Sequence, residues 1–131
     1  MTVKIKSVDH ITINCFKLKE TFEFYENVFG FSRINKIDMG DHVLHLYQMP
    51  DLKLELIEYK NIQKHVHADN TDVGVYRHFA LRVDDIMEIQ KRCQKAGYSI
   101  NLGPTAIPGL NGRVIMLIVD PNGVEIEIIQ D

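Results

Sequence analysis

The sequence predicts an α+β fold of two tandem βαβββ modules, cupped into a mostly antiparallel sheet, and an internal repeat carries that prediction. Val8-Asp9-His10-Ile11-Thr12-Ile13 matches Tyr76-Arg77-His78-Phe79-Ala80-Leu81: each is a short apolar run with a histidine near its start. At nearly equal distances downstream stand Gly30-Phe31 and Gly97-Tyr98, each a glycine followed by an aromatic residue. Each half then closes on a turn and a strand carrying glutamate. Pro50-Asp51 precedes Leu54-Glu55-Leu56, and Asp120-Pro121-Asn122-Gly123 precedes Ile126-Glu127-Ile128. One such match arises readily by chance; three in the same order do not.

The elements follow in order along a single domain spanning 1–131. The first module covers about residues 5–60, a linker 61–74, and the second module 75–131. The N-terminal Met-Thr-Val-Lys-Ile-Lys leads directly into a strand-like pattern and lacks the character of a signal peptide. From Lys17 to Phe29, Leu18, Phe22, Tyr25 and Phe29 recur at helical spacing, and Gly30 closes the helix as a C-cap. Strands are expected at 33–37, 42–49 and 53–59. The segment 61–74 is polar and without clear period, as a linker should be. In the second module Asp85 with Glu88 three positions on forms a capping-box pattern. Ile86, Ile89, Cys93 and Ala96 then mark the buried stripe, and Gly97 ends the helix. Strands are expected at 99–107, 113–119 and 124–129, separated by Pro108-Gly109 and Asn111-Gly112 turns.

Composition excludes several classes. The chain has 131 residues, 45% hydrophobic and 25% charged, the profile of an ordinary globular domain. A net charge of −3 with scattered Lys and Arg argues against nucleic acid or an anionic membrane as partner. No apolar stretch is long enough to span a bilayer. Cys15 and Cys93 lack CxxC spacing and read as reduced, buried thiols of a cytoplasmic protein. No Ser/His/Asp set or glycine-rich phosphate loop is present.

Strand alternation sorts the polar residues by face. His10, Thr12 and Asn14 share one face of the first strand, and Ile11, Ile13 and Cys15 share the other, which must lie under the helix. The same count puts His78, Ala80 and Arg82 on the open face of the second module. Glu55 and Tyr59 in one closing strand, and Glu125 and Glu127 in the other, fall on the open face too. If the two sheets curl toward one another, His10, Glu55, His78 and Glu127 converge on one cleft and the cup encloses a metal site. Two imidazoles with two carboxylates suit one borderline divalent ion, zinc or nickel foremost, with cobalt, manganese or iron also compatible. His42 and His45 lie on opposite faces of one strand and cannot both line that cleft. His65 and His67 fall in the linker and read as a solvated pair.

These residues make the chain resemble the vicinal oxygen chelate superfamily (glyoxalase/bleomycin resistance/dioxygenase), in its glyoxalase I-like branch. The carriers are residues 8–13, Phe22-Glu23-Phe24-Tyr25 through Gly30-Phe31, Leu54-Glu55-Leu56, residues 77–86 and residues 120–127. The resemblance spans essentially the whole chain. It implies paired βαβββ modules around a metal, a homodimer, and a small-molecule substrate. It places His10, Glu55, His78 and Glu127 on the four metal-ligand positions, Glu127 as general base and Glu55 as its catalytic partner. The implied reaction is lactoylglutathione lyase-like: proton transfer between adjacent carbons of an α-oxo, hemithioacetal-like compound, through an enediolate. Two positions depart from the glutathione-dependent pattern. Asn14 stands where bacterial glyoxalase I has an arginine that contacts glutathione, and Tyr59 where it has an asparagine. Asn14, Tyr59 and Arg82, the last placed to hold a substrate carboxylate, are the expected substrate contacts. The scaffold also serves small-molecule binding or resistance proteins, epimerases and dioxygenases.

Overall fold

A computed structural model of the chain describes residues 2–61 and 64–131. The first module runs β1 (His10–Asn14), α1 (Leu18–Phe29), β2 (Ser32–Asp38), β3 (His42–Gln48) and β4 (Lys53–Tyr59). The second runs β5 (His78–Arg82), α2 (Ile86–Ala96), β6 (Ile100–Ile107), a 3₁₀ turn (Pro108–Leu110), β7 (Arg113–Val119) and β8 (Glu125–Gln130). Each module folds its strands into its own four-stranded sheet, in the orders β1-β4-β3-β2 and β5-β8-β7-β6. In both, the first strand pairs parallel with the last, because the helix carries the chain across, and the other pairings are antiparallel. β1 and β5 are thus edge strands of their sheets.

Both helices end on a glycine in the left-handed conformation, Gly30 at φ +71° and Gly97 at φ +80°, as the C-cap reading expected. Asp85 caps α2 by accepting from the Glu88 amide at 3.1 Å. The N-terminal expectation needs correction: residues 2–9 form no strand and lie exposed, with Val3 and Ile5 in solvent, and the strand begins at His10. The helix stripes also shift. In α1 the fully covered residues are Thr21, Phe24, Tyr25 and Val28, while Leu18, Phe22 and Phe29 are only partly covered. In α2, Ile86, Ile89 and Cys93 are buried and Ala96 is exposed.

The shift in α1 has a tertiary cause. α1 does not cover its own sheet alone; it also packs on α2 and on the second module. Phe24 sets its ring edge-on to Tyr98 at 4.8 Å, and Arg92 of α2 donates to the Val28 carbonyl at 2.9 Å. One apolar core therefore joins Phe24, Tyr25, Leu54 and Leu56 to Cys93, Met116, Ile126 and Ile128, all fully buried. The helix-covered faces of both sheets look into that core. Their helix-free faces look away from it.

Candidate functional site

The helix-free face of the first sheet assembles half a site. β1 and β4 run parallel with Thr12 opposite Glu55 and His10 one pleat before. His10 Nε2 lies 3.8 Å from Glu55 Oε2, and Thr12 Oγ1 donates to Glu55 Oε1 at 3.5 Å. The second sheet repeats the arrangement: Ala80 sits opposite Glu127, and His78 Nε2 lies 2.7 Å from Glu127 Oε2. Each pair presents one imidazole nitrogen beside one carboxylate oxygen, the donor types a borderline divalent ion takes. Both glutamate side chains are largely screened from water, at 15% exposure each.

The four residues expected to share one cleft thus stand as two pairs. Among the described residues, no group of three or more His, Cys, Asp or Glu side chains gathers closely enough to hold a metal ion. The helix-covered faces of both sheets feed one shared core, and each histidine–glutamate pair stands on the face opposite that core.

The other expected contacts spread along the same faces. Asn14 and Tyr59 border one cleft of about 680 Å³ with Thr12, Phe16, His65 and Tyr76. Tyr59 stacks on His42 at 5.1 Å between ring centres. Arg82, at the exposed end of β5, lies 3.6 Å from Asp131, which Arg113 also contacts at 2.9 Å. His42 and His45 do fall on opposite faces. His45 is 2% exposed under Phe22, and burial lowers its affinity for a proton. His65 is exposed, as the linker reading expects, and it also makes contacts across the chain: its Nε2 lies 3.0 Å from the Asn122 carbonyl oxygen and its ring packs on Phe16. His67 is exposed and pairs with Asp69.

Sequence reasoning gave no role to two carboxylates that face the histidine Nδ1 atoms. Asp9 Oδ2 lies 2.8 Å from His10 Nδ1, and Glu125 Oε1 lies 3.8 Å from His78 Nδ1. The signals were present: Asp9 adjoins His10, and Glu125 shares the open face with Glu127 at strand period.

Thiol chemistry is disfavoured. Burial pushes the Cys15 thiol up to about 12, with the nearby Asp120 carboxylate adding to the effect, and pushes Cys93 up to about 11. At neutral pH both are thiols rather than thiolates, the form that reacts. Folded protein at pH 7.5 should accordingly leave a disulfide reagent such as DTNB almost untouched, with two thiols titrating only in denaturant. Rapid reaction of one equivalent in the native state would contradict this placement.

Comparisons with known proteins agree with the architecture. The family profile described as Glyoxalase/Bleomycin resistance protein/Dioxygenase superfamily matches residues 7–128. The lactoylglutathione lyase GLX1 of Arabidopsis thaliana is 26% identical over 125 residues, covering 92% of this chain but 43% of that protein. The chain therefore spans less than half the length of this curated relative. The trypanothione-dependent glyoxalase I of Leishmania major superposes with a TM-score of 0.79 at 22% identity, over 96% of this chain and 87% of that one. A glyoxalase I mutant from Zea mays gives a TM-score of 0.79 at 23% identity, over 95% of this chain and 44% of that one. Among the described residues no helix is long and apolar enough to cross a membrane. With the duplicated modules, their matched strand orders and a profile match over nearly its whole length, the chain belongs to the Glyoxalase/Bleomycin resistance protein/Dioxygenase superfamily.

Proposed function

We propose that two copies of this chain join so that His10 and Glu55 of one subunit and the partner subunit's His78 and Glu127 together hold one divalent ion, zinc or nickel. We further propose that the completed centre catalyses proton transfer on an α-oxo, hemithioacetal-like small molecule, as a glyoxalase I-type lyase. The observation that carries the reading is the matched pair of half-sites. Each is a histidine Nε2 beside a glutamate Oε2, on an outward-facing sheet surface at or beside a free edge strand. The donor chemistry fits: two neutral nitrogens and two carboxylate oxygens make a site for a borderline ion that leaves positions for substrate oxygens. A symmetric dimer supplies both halves twice, because a two-fold axis brings the same two surfaces together in both senses.

When bound, the ion supplies Lewis acidity to vicinal substrate oxygens. The chain's own residues then do the rest. Glu127 removes a proton from the carbon beside the carbonyl and returns it one carbon along, a task that needs a carboxylate within reach of both atoms. Its low exposure keeps that carboxylate from full hydration. Glu55 is its counterpart in the other half. Leu44, Leu46 and Ile57 flank Glu55 on the open face and offer an apolar wall to the substrate carbons. Asn14 and Tyr59, bordering one cleft, replace glutathione-contacting residues, which favours the adduct of a different thiol, and Arg82 is placed to hold a carboxylate of that substrate.

The test is elemental analysis of purified protein, followed by anaerobic assays with methylglyoxal and a panel of thiols. About one zinc or nickel per chain is expected. Glu127→Gln should lower turnover by roughly 10²–10⁴-fold, the range for loss of a general acid–base group. Failure to bind metal would sink the centre. Undiminished turnover in Glu127→Gln would remove that residue as the base. Iron with oxygen consumption would point to an oxygenase instead.

A further inference from the structure

Resting on the metal-centre reading, we infer that Glu125 is a positioning residue that orients His78 for the ion, and that it does in the second module what Asp9 does in the first. The two half-sites differ around their histidines in a patterned way. In β1, Asp9 precedes His10, and Lys53 stands opposite His10 on the neighbouring strand. In β5, Arg77 precedes His78, and Glu125 stands opposite His78 on the neighbouring strand. The acid and the base have exchanged places between equivalent positions of the repeat. Both carboxylates are paired with their cations: Lys53 Nζ lies 4.0 Å from Asp9 Oδ1, and Arg77 Nη2 lies 3.7 Å from Glu125 Oε1. Both face an Nδ1. A duplicated site that keeps the ion pair while swapping its members keeps what the pair does, which is to hold a carboxylate behind the imidazole.

The local geometry in the second module makes the case independently. Glu125 is buried at 9% exposure, and its Oε2 accepts from Asn101 Nδ2 at 3.3 Å. Among the described residues its Oε1 and the Nδ1 of His78 are both buried without a hydrogen-bond partner, and they face each other across 3.8 Å. Two buried polar atoms side by side without hydrogen bonds are costly unless they bond to each other. That separation is about 1 Å beyond a hydrogen bond, within reach of a small turn of the ring. An Nδ1–H donated to Glu125 fixes the tautomer in which Nε2, beside Glu127, carries the free lone pair. This is the usual way a carboxylate behind a histidine serves a metal, by setting ring orientation and raising ligand basicity.

Zinc affinity of the full chain, measured by competition with a chelator, tests this. Glu125→Leu should bind zinc roughly 10–100-fold more weakly than the parent, and Glu125→Gln, whose amide oxygen accepts the same bond, only a few-fold more weakly. Glu125→Lys should lose at least as much as Glu125→Leu. Adding Arg77→Asp to it transplants the first module's arrangement and should restore affinity to within about threefold. Nitrogen-15 spectra of the zinc-loaded parent should show His78 protonated at Nδ1. Parent-like affinity in Glu125→Leu, a double variant no better than Glu125→Lys, or zinc bound through His78 Nδ1 would each overturn the assignment while leaving the metal centre standing. A parent chain that takes up no zinc or nickel would overturn both. If Glu125→Leu does not fold, the Gln variant, the swapped pair and the spectra decide.

Discussion

Glu55→Ala and Glu127→Ala chains, each nearly devoid of bound metal by itself, should regain metal when unfolded together and refolded as a mixture. The expectation comes from the outward-facing half-sites. If each centre takes His10 and Glu55 from one subunit and the partner subunit's His78 and Glu127, a mixed dimer contains one doubly defective centre and one intact centre. Random pairing of equal amounts makes about half the dimers mixed, so roughly a quarter of the parent's sites return. A centre formed inside one chain would return none, since every chain in the mixture carries a lesion. Zinc or nickel content after gel filtration measures this directly. Chain mass in the same experiment reports the dimer. No recovery, with each variant folded and dimeric, would end the shared-centre proposal. Recovery would also localise the active surface. It would lie where the β1 edge of one copy meets the β5 edge of the other, each the end strand of its own sheet in the single chain.

Asn122→Ala should cost about 2–3 kcal/mol of folding stability, because it leaves several buried or part-buried donors and acceptors without partners. Helix α1 has Lys17 at its N-cap position and no side-chain cap of its own. The approach to the helix is held from the far end of the chain: Asn122 Oδ1 accepts from the Phe16 amide at 3.0 Å and the Lys17 amide at 3.5 Å. Its Nδ2 donates to Thr21 Oγ1 at 2.8 Å, inside the first turn of the helix. The Asp120 carboxylate completes the latch, accepting from the Tyr25 hydroxyl at 2.9 Å and from the Asn122 and Val124 amides at 2.8 and 2.9 Å. Burial raises the Asp120 pKa despite these bonds. Urea unfolding followed by circular dichroism should show a lower midpoint with little change in slope, since the surface exposed on unfolding is unchanged. A loss below about 0.5 kcal/mol, the level of an ordinary surface change, would mean that water replaces the side chain and that the latch does not couple the modules.

Much of the fold was legible in the residues. β4 and β7 occupy the spans that alternation and turn signals marked, and Gly30, Asp85 and Gly97 cap their helices as their types require. The misreadings share one origin. The stripe in α1 was set at Leu18, Phe22, Tyr25 and Phe29, but Phe24 and Val28 are buried because a second surface, from the other module, covers that side. Residues 2–9 alternate like a strand yet lie exposed, since alternation supplies a pattern and not a neighbour to pair with. The contact of exposed His65 with the Asn122 turn had no signal either, because nothing near it in sequence names that partner.

The sequence by itself determined each module and, through the two-residue period of a strand, the face on which His10, Glu55, His78 and Glu127 stand. Tertiary structure decided how the faces relate. Each sheet has one apolar face to cover, and the same local pattern is satisfied whether the modules share a cleft or share a core. Here the helices pack together, both modules share one core, and among the described residues the histidine–glutamate pairs do not gather into one group. That choice rests on contacts between residues a hundred positions apart, such as Thr21 with Asn122, whose partners no local period can name.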